Sequence, residues 1–246
     1  MEQKMVGIIG GMGPYASSAF VNTVYERNLI SCKEQEGPRL VLYSDPSLPD
    51  RTSTLQSGES SALVAKLESI CRQLEKIDVD YLIMACVTAH SFLDELPPSL
   101  MPRVINLISI IQSEVQLSSK RYLLLATEGS YRNKSLTGPN IIHPSEHHQH
   151  EIHQIAYSLK TAGEQHPMIN HMFSRIQELV LLYKADGWIS GCTEFHLLSR
   201  YAYSRKDKRR FHIVDPLMVL ANNWKQLENY TKGGGVLHER VQFCGA

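Results

Sequence analysis

The sequence predicts an α/β fold of two similar domains, each built on a mostly parallel sheet flanked by helices. Short apolar runs alternate with stretches that carry apolar residues at helical spacing, which is the pattern of strand–helix units. The same order of segments occurs twice along the chain, and each occurrence leads to a cysteine after an apolar strand. With 246 residues, the chain is long enough for one large domain or two small ones.

The predicted elements alternate from the N-terminus onward. Short apolar runs, most of them followed by turn residues, are predicted to be buried strands: 6–9, 39–43, 81–85, 104–107, 122–126 and 188–190. Longer stretches with helical periodicity are predicted to be helices: 16–29, 61–77, 151–159 and 172–184. Parallel sheets place their ligand sites beyond the carboxyl ends of the strands, so functional residues are expected there.

The composition excludes several classes of partner. The chain has 25 basic and 25 acidic residues, so it lacks the basic surplus that is typical of nucleic-acid binders. Hydrophobic residues make up 43% and charged residues 20%, as in ordinary globular proteins. No apolar run is long enough to span a bilayer, and no basic segment followed by a long apolar core indicates a signal peptide. We therefore expect a small-molecule ligand, and neither nucleic acid nor membrane.

The five cysteines, Cys32, Cys71, Cys86, Cys192 and Cys244, are scattered without paired spacing. An odd number of cysteines favours free thiols in a reducing cytoplasm. Their spacing matches no zinc site, so no metal is expected. Cysteine is often buried as a small hydrophobic residue, and this interpretation, or a surface position, is preferred for Cys32, Cys71 and Cys244.

A weak internal repeat sets the other two cysteines apart. A helical stretch leads to Asp80, an apolar strand and Cys86 in the first half, and the same order leads to Asp186 and Cys192 in the second. The offset from aspartate to cysteine is six residues in both cases. Short α/β matches also arise by chance, but the first strand of each half also ends in a small-residue loop before a helix. The first strands with their loops and the aspartate–cysteine segments occur in the same order in both halves, which favours a repeat.

The position of these two cysteines suits acid–base chemistry. Each follows a strand and precedes a possible helix start, where backbone N–H groups and the helix dipole favour a thiolate and lower the pKa. Two halves that face each other would put the Cys86 and Cys192 sulfurs on opposite sides of one cleft. Inverting a stereocentre requires removing a proton from one face and returning one to the other, with one thiolate and one thiol. The hydroxyl groups of Thr88 and Thr193 are candidate donors to an anionic ligand.

Other motifs carry weaker signals. Residues 11–16 (GMGPYA) fit the dinucleotide pattern loosely, and their glycines are interpreted as a tight turn that brings backbone amides close to a small anion. The histidine-rich tract 143–153 is expected to be a partly exposed loop and helix start rather than a metal site. The basic run 205–210 is expected to be a solvated loop. His90 and His196 are expected to be structural.

Motifs spread along the chain resemble the cofactor-independent aspartate/glutamate racemase family, from Gly7 to about Pro216. They occur in family order: 7–14 (GIIGGMGP), 44–52 (SDPSLPDRT), 86–90 (CVTAH), 126–130 (ATEGS), 141–163 and 191–194 (GCTE). The resemblance implies a pseudo-twofold pair of α/β domains, 1–102 plus 215–246 and 103–214, with the site between them. It further implies a homodimer and a reaction that uses neither pyridoxal phosphate nor metal.

The resemblance also implies a role for each candidate site residue. Cys86 and Cys192 are the two bases, and Arg51 and Lys160 grip the side-chain carboxylate of the substrate. Loop amides near Met12 and three hydroxyl groups hold the α-carboxylate. These hydroxyl groups belong to Thr88, Thr127 and Thr193. From local sequence alone, Arg51 would be an ordinary surface arginine and Lys160 a solvated helix position, so their roles depend on the resemblance.

Two residues depart from the family pattern. Val87 stands at a substrate-lining position where asparagine usually follows the first cysteine. Losing a hydrogen bond from that side-chain amide to a carboxylate costs about 1.5–3 kcal/mol. Asp45 stands where asparagine is common, and its carboxylate would repel an acidic substrate unless it points away or pairs with a cation. Three hypotheses therefore stay open: a two-cysteine racemase of aspartate or glutamate, an isomerase of another small carboxylate, and a non-catalytic small-acid binding protein. A nicotinamide-dependent dehydrogenase is a distant fourth.

Overall fold

The structure, a computed structural model, describes residues 4–29, 33–205 and 211–230. Cys32, Cys244 and residues 206–210 of the basic run lie outside the described residues. Within the described ranges, the chain alternates strands and helices from the first strand to the last helix. No helix in these ranges is long and apolar enough to cross a membrane.

Two four-stranded sheets, both entirely parallel, form the framework. The first sheet has the order β2-β1-β3-β4, with β1 Met5–Gly10, β2 Arg39–Ser44, β3 Tyr81–Met84 and β4 Val104–Ile105. The second has the order β6-β5-β7-β8, with β5 Tyr122–Leu125, β6 Ile141–Ile142, β7 Gly187–Ser190 and β8 His212–Val214. The strand order is the same in both sheets, which confirms the predicted fold of two similar α/β halves.

Helices connect successive strands of the sheets. Those described are α1 Pro14–Asn28, α2 Arg51–Ser57, α3 Ser61–Glu75, α4 Leu107–Gln116, α5 Glu128–Asn133, α6 Glu146–Ala162, α7 Ile169–Leu182, α8 Phe195–Ser204 and α9 Pro216–Asn222. Several begin at a residue that favours a helix start. Asp50, Asn106 and Asp215 accept backbone N–H bonds at the first turns of α2, α4 and α9, and Pro14 opens α1 without losing a helical bond.

The side chains of the central strands alternate between two apolar environments, as the period of a strand requires. In the first sheet, Ile9 and Met84 pack toward α3, whereas Ile8 and Ile83 point into a central cluster. In the second sheet, residues on one face pack with α6 and α7, and those on the other join the same central cluster. The central cluster therefore receives side chains from both sheets and joins the two halves.

The repeated aspartate starts the same strand in each half. The Asp80 carboxylate accepts the Met5 N–H at 2.7 Å, and the Asp80 N–H donates to the Met5 carbonyl at 2.8 Å. In the second half, the Asp186 carboxylate accepts the Arg121 N–H at 2.8 Å, and the Asp186 N–H donates back at 2.8 Å. Each aspartate thus fixes where the strand after it, β3 or β7, starts relative to the neighbouring central strand, β1 or β5. The cysteine six residues later therefore lies at the same edge of each sheet.

The division into 1–102 plus 215–246 and 103–214 stays a prediction. The strand after the first proposed boundary, β4, pairs with β3 in the first sheet. Beyond Asp215, α9 packs against α1, and the Asn28 side-chain amide donates to the Ala221 carbonyl at 2.8 Å. The described part of the C-terminal segment thus returns to the first half of the chain.

Candidate functional site

Cys86 and Cys192 lie just beyond the carboxyl ends of β3 and β7, the equivalent strands of the two sheets. Both are free thiols and are only 6% and 4% exposed. Charged side chains from both halves surround them, so neither is enclosed by apolar packing alone. A charge on Cys86 contributes to the raised pKa of Cys192, after the larger effects of burial and Glu194. The two sulfurs therefore lie within electrostatic reach of each other.

Cys192 donates a hydrogen bond to a carboxylate. Its Sγ lies 2.7 Å from Oε2 of Glu194, and both residues are buried. Burial and then the negative Glu194 raise the pKa of the Cys192 thiol well above its usual value. The prediction that a strand-end position lowers the pKa is therefore wrong for Cys192, because desolvation and a like charge outweigh the helix dipole of α8. Cys192 is held as a thiol.

Glu194 is a site residue that the sequence analysis did not single out. Its Oε1 atom is buried and has no hydrogen-bond partner in the part of the chain that the structure describes. This oxygen reaches across to the first half, where a Cβ atom built on Gly13 would lie 2.3 Å from it. Glycine at position 13 thus leaves the space that Glu194 occupies. The available signal was the GCTE motif itself, in which an acidic residue follows the second cysteine at a distance of two.

Arg51 is buried beside Cys86, at the first position of α2. Its terminal nitrogens donate to three backbone carbonyls: to that of Met12, to that of Pro49 at 2.9 Å and to that of Leu48 at 3.4 Å. Burial lowers the pKa of the guanidinium, but the neighbouring Cys86 side chain and the Asp50 carboxylate raise it more. Arg51 is thus a fixed positive charge at the first cysteine, and it is not the surface arginine that local sequence favours.

Lys160 brings a second cation into the site from α6. Its Nζ atom lies 4.0 Å from the centre of the Tyr157 ring, and it has no hydrogen-bond or ion-pair partner among the residues described. Burial lowers the pKa of Lys160, but Glu194 and then Cys192 raise it more. A half-buried ammonium group without an acceptor is suited to bind an anionic ligand.

Three hydroxyl groups meet where the two halves join. Oγ1 of Thr88 lies 3.0 Å from Oγ of Ser130 and 3.4 Å from Oγ1 of Thr127. Thr88 follows β3 in the first half, whereas Thr127 and Ser130 belong to the loop and helix after β5. The Thr193 hydroxyl donates to the Ala85 carbonyl at 3.1 Å and links the second cysteine loop to the first. This arrangement brings Thr88 and Thr127 together, with Ser130 as an addition, whereas the Thr193 hydroxyl is bonded to the backbone just before Cys86.

Two other predicted positions contribute differently from the three threonines. Met12 is buried, and its carbonyl accepts the Arg51 guanidinium, so this loop positions the arginine. Val87 is 1% exposed and belongs to the central apolar cluster that joins the two sheets. Val87 directly follows Cys86 in the sequence, but its side chain packs among the apolar residues of this cluster.

Asp45 keeps its carboxylate within its own loop. Oδ1 accepts the Ser47 N–H at 2.8 Å, and hydrogen bonds from Ser47 lower the pKa of this exposed carboxyl group. Lys66, which donates to Ser47 at 2.9 Å, adds a smaller effect in the same direction. The backbone of Asp45 approaches Gly11, whose φ of 85° and lack of a side chain permit this contact. Asp45 therefore has local partners and a nearby cation.

The two histidines that follow the cysteines in sequence, His90 and His196, have local partners. His90 lies between the carbonyls of Cys86 and Ile105, at 2.9 and 3.4 Å, and His196 lies between Thr23 and Asp215, at 2.9 and 2.7 Å. Both are structural, as predicted.

The histidine tract forms a loop and the start of α6. Three of its side chains lie within 4.8 Å of one another, those of His147, His148 and Glu151. Arg175 already pairs with Glu151, which opposes a cation there.

Comparison with known proteins identifies the family that this site resembles. Residues 9–222 match the sequence profile described as Asp/Glu/Hydantoin racemase. A relative from Bacillus subtilis (strain 168), the broad specificity amino-acid racemase RacX, is 26% identical over 235 residues. The match covers 89% of this chain and 96% of the relative.

Solved structures agree with the profile. The aspartate racemase of Picrophilus torridus superposes with a TM-score of 0.70 at 25% identity, covering 89% of this chain and 91% of that chain. An aspartate racemase homologue from Pyrococcus horikoshii OT3 superposes with a TM-score of 0.65, covering 92% of this chain and 100% of that one. At 18% identity, the second likeness concerns the fold alone.

Proposed function

We propose, since the chain belongs to the Asp/Glu/Hydantoin racemase family, that it inverts the α-carbon of a small acidic amino acid, aspartate or glutamate. Cys86 and Cys192 are the two bases of this proposal. The observation that carries it is the pair of strand-end thiols with opposite electrostatic partners, a guanidinium at Cys86 and a carboxylate at Cys192. We further propose, as the resemblance implies, that catalysis needs no pyridoxal phosphate. The homodimer and the cytoplasmic location stay predictions.

The unequal partners assign a resting role to each sulfur. We assign Cys86 the role of base because the Arg51 guanidinium lies beside it, and Cys192 the role of acid because its thiol donates to Glu194. The Cys86 thiolate takes the α-proton from one face of the substrate and becomes a thiol. The Cys192 thiol delivers its proton to the opposite face and becomes a thiolate. For the other enantiomer the same two steps run in reverse.

The remaining charged and polar groups are arranged to hold two carboxylates. The Lys160 ammonium group, which has no hydrogen-bond or ion-pair partner in the described part of the chain, binds the side-chain carboxylate as a point charge. The hydroxyl groups of Thr88 and Thr127 donate to the α-carboxylate, which develops more negative charge as the α-proton leaves. The Thr193 hydroxyl, which the resemblance assigned to the same carboxylate, already donates to the Ala85 carbonyl and joins the two cysteine loops instead. Arg51 adds a second positive charge for the side-chain carboxylate, as the resemblance implies, and the bonds from its terminal nitrogens to backbone carbonyls fix the position of this charge. Together these groups orient the α-carbon between the sulfurs.

A second candidate is a racemase that accepts a wider range of amino acids. The family's usual asparagine is replaced by Val87, which is buried in the apolar cluster, so one polar contact to substrate is missing. The similar Bacillus subtilis protein carries the name broad specificity amino-acid racemase. Incubating the protein with the separate enantiomers of aspartate, glutamate and neutral or basic amino acids, followed by chiral chromatography, separates the two candidates. Binding without turnover of any of them would leave only the non-catalytic binding protein.

Replacing each cysteine tests the two-base assignment. Cys86→Ala and Cys192→Ala are each expected to lower racemisation at least about 100-fold, since each removes one proton-transfer group. Cys71→Ala is the matched control, because Cys71 is a buried thiol in the core whose pKa burial raises to about 12. Full activity in either single variant, measured by chiral chromatography, would refute the assignment.

A further inference from the structure

Tyr157 connects the two halves of the candidate site. It lies on α6, one turn before Lys160, and its ring supports the Lys160 ammonium group at 4.0 Å from the ring centre. Its hydroxyl group donates to Oδ2 of Asp50, in the first half of the chain, at 3.0 Å. The same side chain therefore contacts one proposed substrate-binding cation directly and reaches the residue that precedes the other.

Asp50 transmits this contact to Arg51. Its other oxygen, Oδ1, accepts the Ser53 N–H at 2.9 Å and caps α2, the helix whose first residue is Arg51. Burial raises the pKa of Asp50, but the Ser53 N–H and the Tyr157 hydroxyl lower it more. The bond from Tyr157 thus reaches an ionised carboxylate and is stronger than a bond between neutral groups.

We propose that Tyr157 is a positioning residue that sets the separation of Arg51 and Lys160 and thereby selects amino acids with a second carboxylate. This inference rests on the proposed function. A lysine side chain has four rotatable carbon–carbon bonds, and within residues 4–29, 33–205 and 211–230 the Tyr157 ring is the contact that fixes the position of its ammonium group. The hydrogen bond from the Tyr157 hydroxyl to Asp50 fixes the ring in turn. The Lys160 ammonium group is thereby held at a fixed position relative to the first half.

The hydroxyl group and the ring can be removed separately. Tyr157→Phe keeps the ring beneath Lys160 and removes the hydroxyl group, with its hydrogen bonds to Asp50 and Thr52 in the first half. We expect KM for the acidic substrate to rise about tenfold with little change in kcat. Tyr157→Leu removes both contacts and is expected to raise KM further. The kcat/KM ratio of the acidic substrate over alanine should fall about tenfold in Tyr157→Phe, because alanine has no side-chain carboxylate. Loss of folding alone would lower kcat/KM for the acidic substrate and for alanine by the same factor.

Tyr183→Phe is the matched control. Its hydroxyl group is also hydrogen-bonded, at 2.7 Å to His148, but at the opposite end of α6. We expect KM and the selectivity ratio to stay at wild-type values in this variant. An unchanged KM and an unchanged selectivity ratio in Tyr157→Phe would overturn the positioning role.

Succinate binding, measured by calorimetry, separates this inference from the proposed function. Succinate has two carboxylates and no amino-acid stereocentre, so its affinity reports the separation of the cations without catalysis. We expect about tenfold weaker succinate binding in Tyr157→Phe than in wild type. Equal binding would overturn the positioning role even if the wild type racemises. Weaker binding in the variant, together with a wild type that racemises no amino acid, would contradict the proposed function alone.

Discussion

Glu194 gives two equivalent cysteines unequal surroundings. The chain leaves β3 and β7 in the same way, yet the second sulfur donates to a carboxylate at 2.7 Å, whereas the first lies beside the Arg51 guanidinium. Burial and this negative charge raise the pKa of Cys192, so removing the charge should allow the thiol to ionise at lower pH. The acid–base asymmetry of the site thus depends on one side chain.

Glu194→Gln is expected to shift the alkylation of Cys192 by iodoacetamide to lower pH, because the amide no longer repels the thiolate. Racemisation is expected to fall about 10- to 100-fold, since the proton donor is no longer held in place. The measurement is the pH dependence of labelling, followed by peptide mass spectrometry. Glu68→Gln on α3 is the control. A Cys192 profile that does not move in Glu194→Gln would argue against Glu194 as the cause.

Gly13 is predicted to be needed for the position of Glu194. An alanine Cβ at position 13 would lie 2.3 Å from Oε1 and 3.1 Å from Cδ, so the carboxylate would have to move away. We expect Gly13→Ala to lower kcat/KM about 10- to 100-fold while the protein stays folded. Gly138→Ala, where a Cβ would have only ordinary contacts at 3.8 Å or more, is the control for steady-state kinetics. Wild-type activity in Gly13→Ala would mean that Glu194 tolerates displacement.

The site residues differ in how far the sequence predicts them. Cys86 and Cys192 stand out locally, because each follows a strand at the same distance from an aspartate, and the structure supplies the reason in the strand-start bonds of both aspartates. Arg51 and Lys160 have no such local pattern. Their surroundings include residues far away in sequence, such as Met12 for Arg51 and Glu194 for Lys160, so only the family resemblance pointed to them. Glu194 was missed because its role depends on Gly13, far away in sequence.

At the scale of elements, the sequence predicts the central strands and the four longest helices, but it does not predict the ten-residue helices α4 and α8 or several shorter elements. The predicted strands and helices all occur, although 104–107 contains only the two-residue strand β4 before α4 begins at Leu107. The edge strands β6 and β8 have two and three residues, too few to show alternation. Helices α2 and α5 have seven and six residues and pack against each other across the two halves, and α2 is also capped by Asp50.

The helix caps Asn106 and Asp215 provide a matched pair for testing one element against its equivalent. Both follow the last strand of their sheet and accept backbone N–H bonds, but Asp215 also bonds His196 at 2.7 Å and is buried. Asn106→Ala is expected to lower the free energy of unfolding by about 1 kcal/mol. Asp215→Ala should cost about 3–5 kcal/mol, because it also leaves a buried histidine without its partner. Urea unfolding measures both, and equal losses would contradict a structural role of the Asp215–His196 pair.

At the scale of the whole molecule, the two halves have the same strand order but supply different charges. The first half brings Arg51 to Cys86, and the second brings Glu194 and Lys160 to Cys192. The central apolar cluster joins both sheets, so these charges keep a defined separation. The α/β architecture followed from periodicity, whereas the charge pattern between the halves depends on how they pack. An inversion reaction needs this combination, a symmetric scaffold with one sulfur ready to accept a proton and the other ready to donate one.

The most direct test of the two-base claim is racemisation of each enantiomer of aspartate and glutamate separately in deuterated water, stopped at low conversion. Chiral separation and mass spectrometry then give the α-deuterium content of product and of recovered substrate. Two bases predict deuterium in the product enantiomer and almost none in the recovered substrate, because the proton is taken by one sulfur and replaced by the other. Equal early deuteration of recovered substrate and product would indicate a single base and contradict the assignment of Cys86 and Cys192.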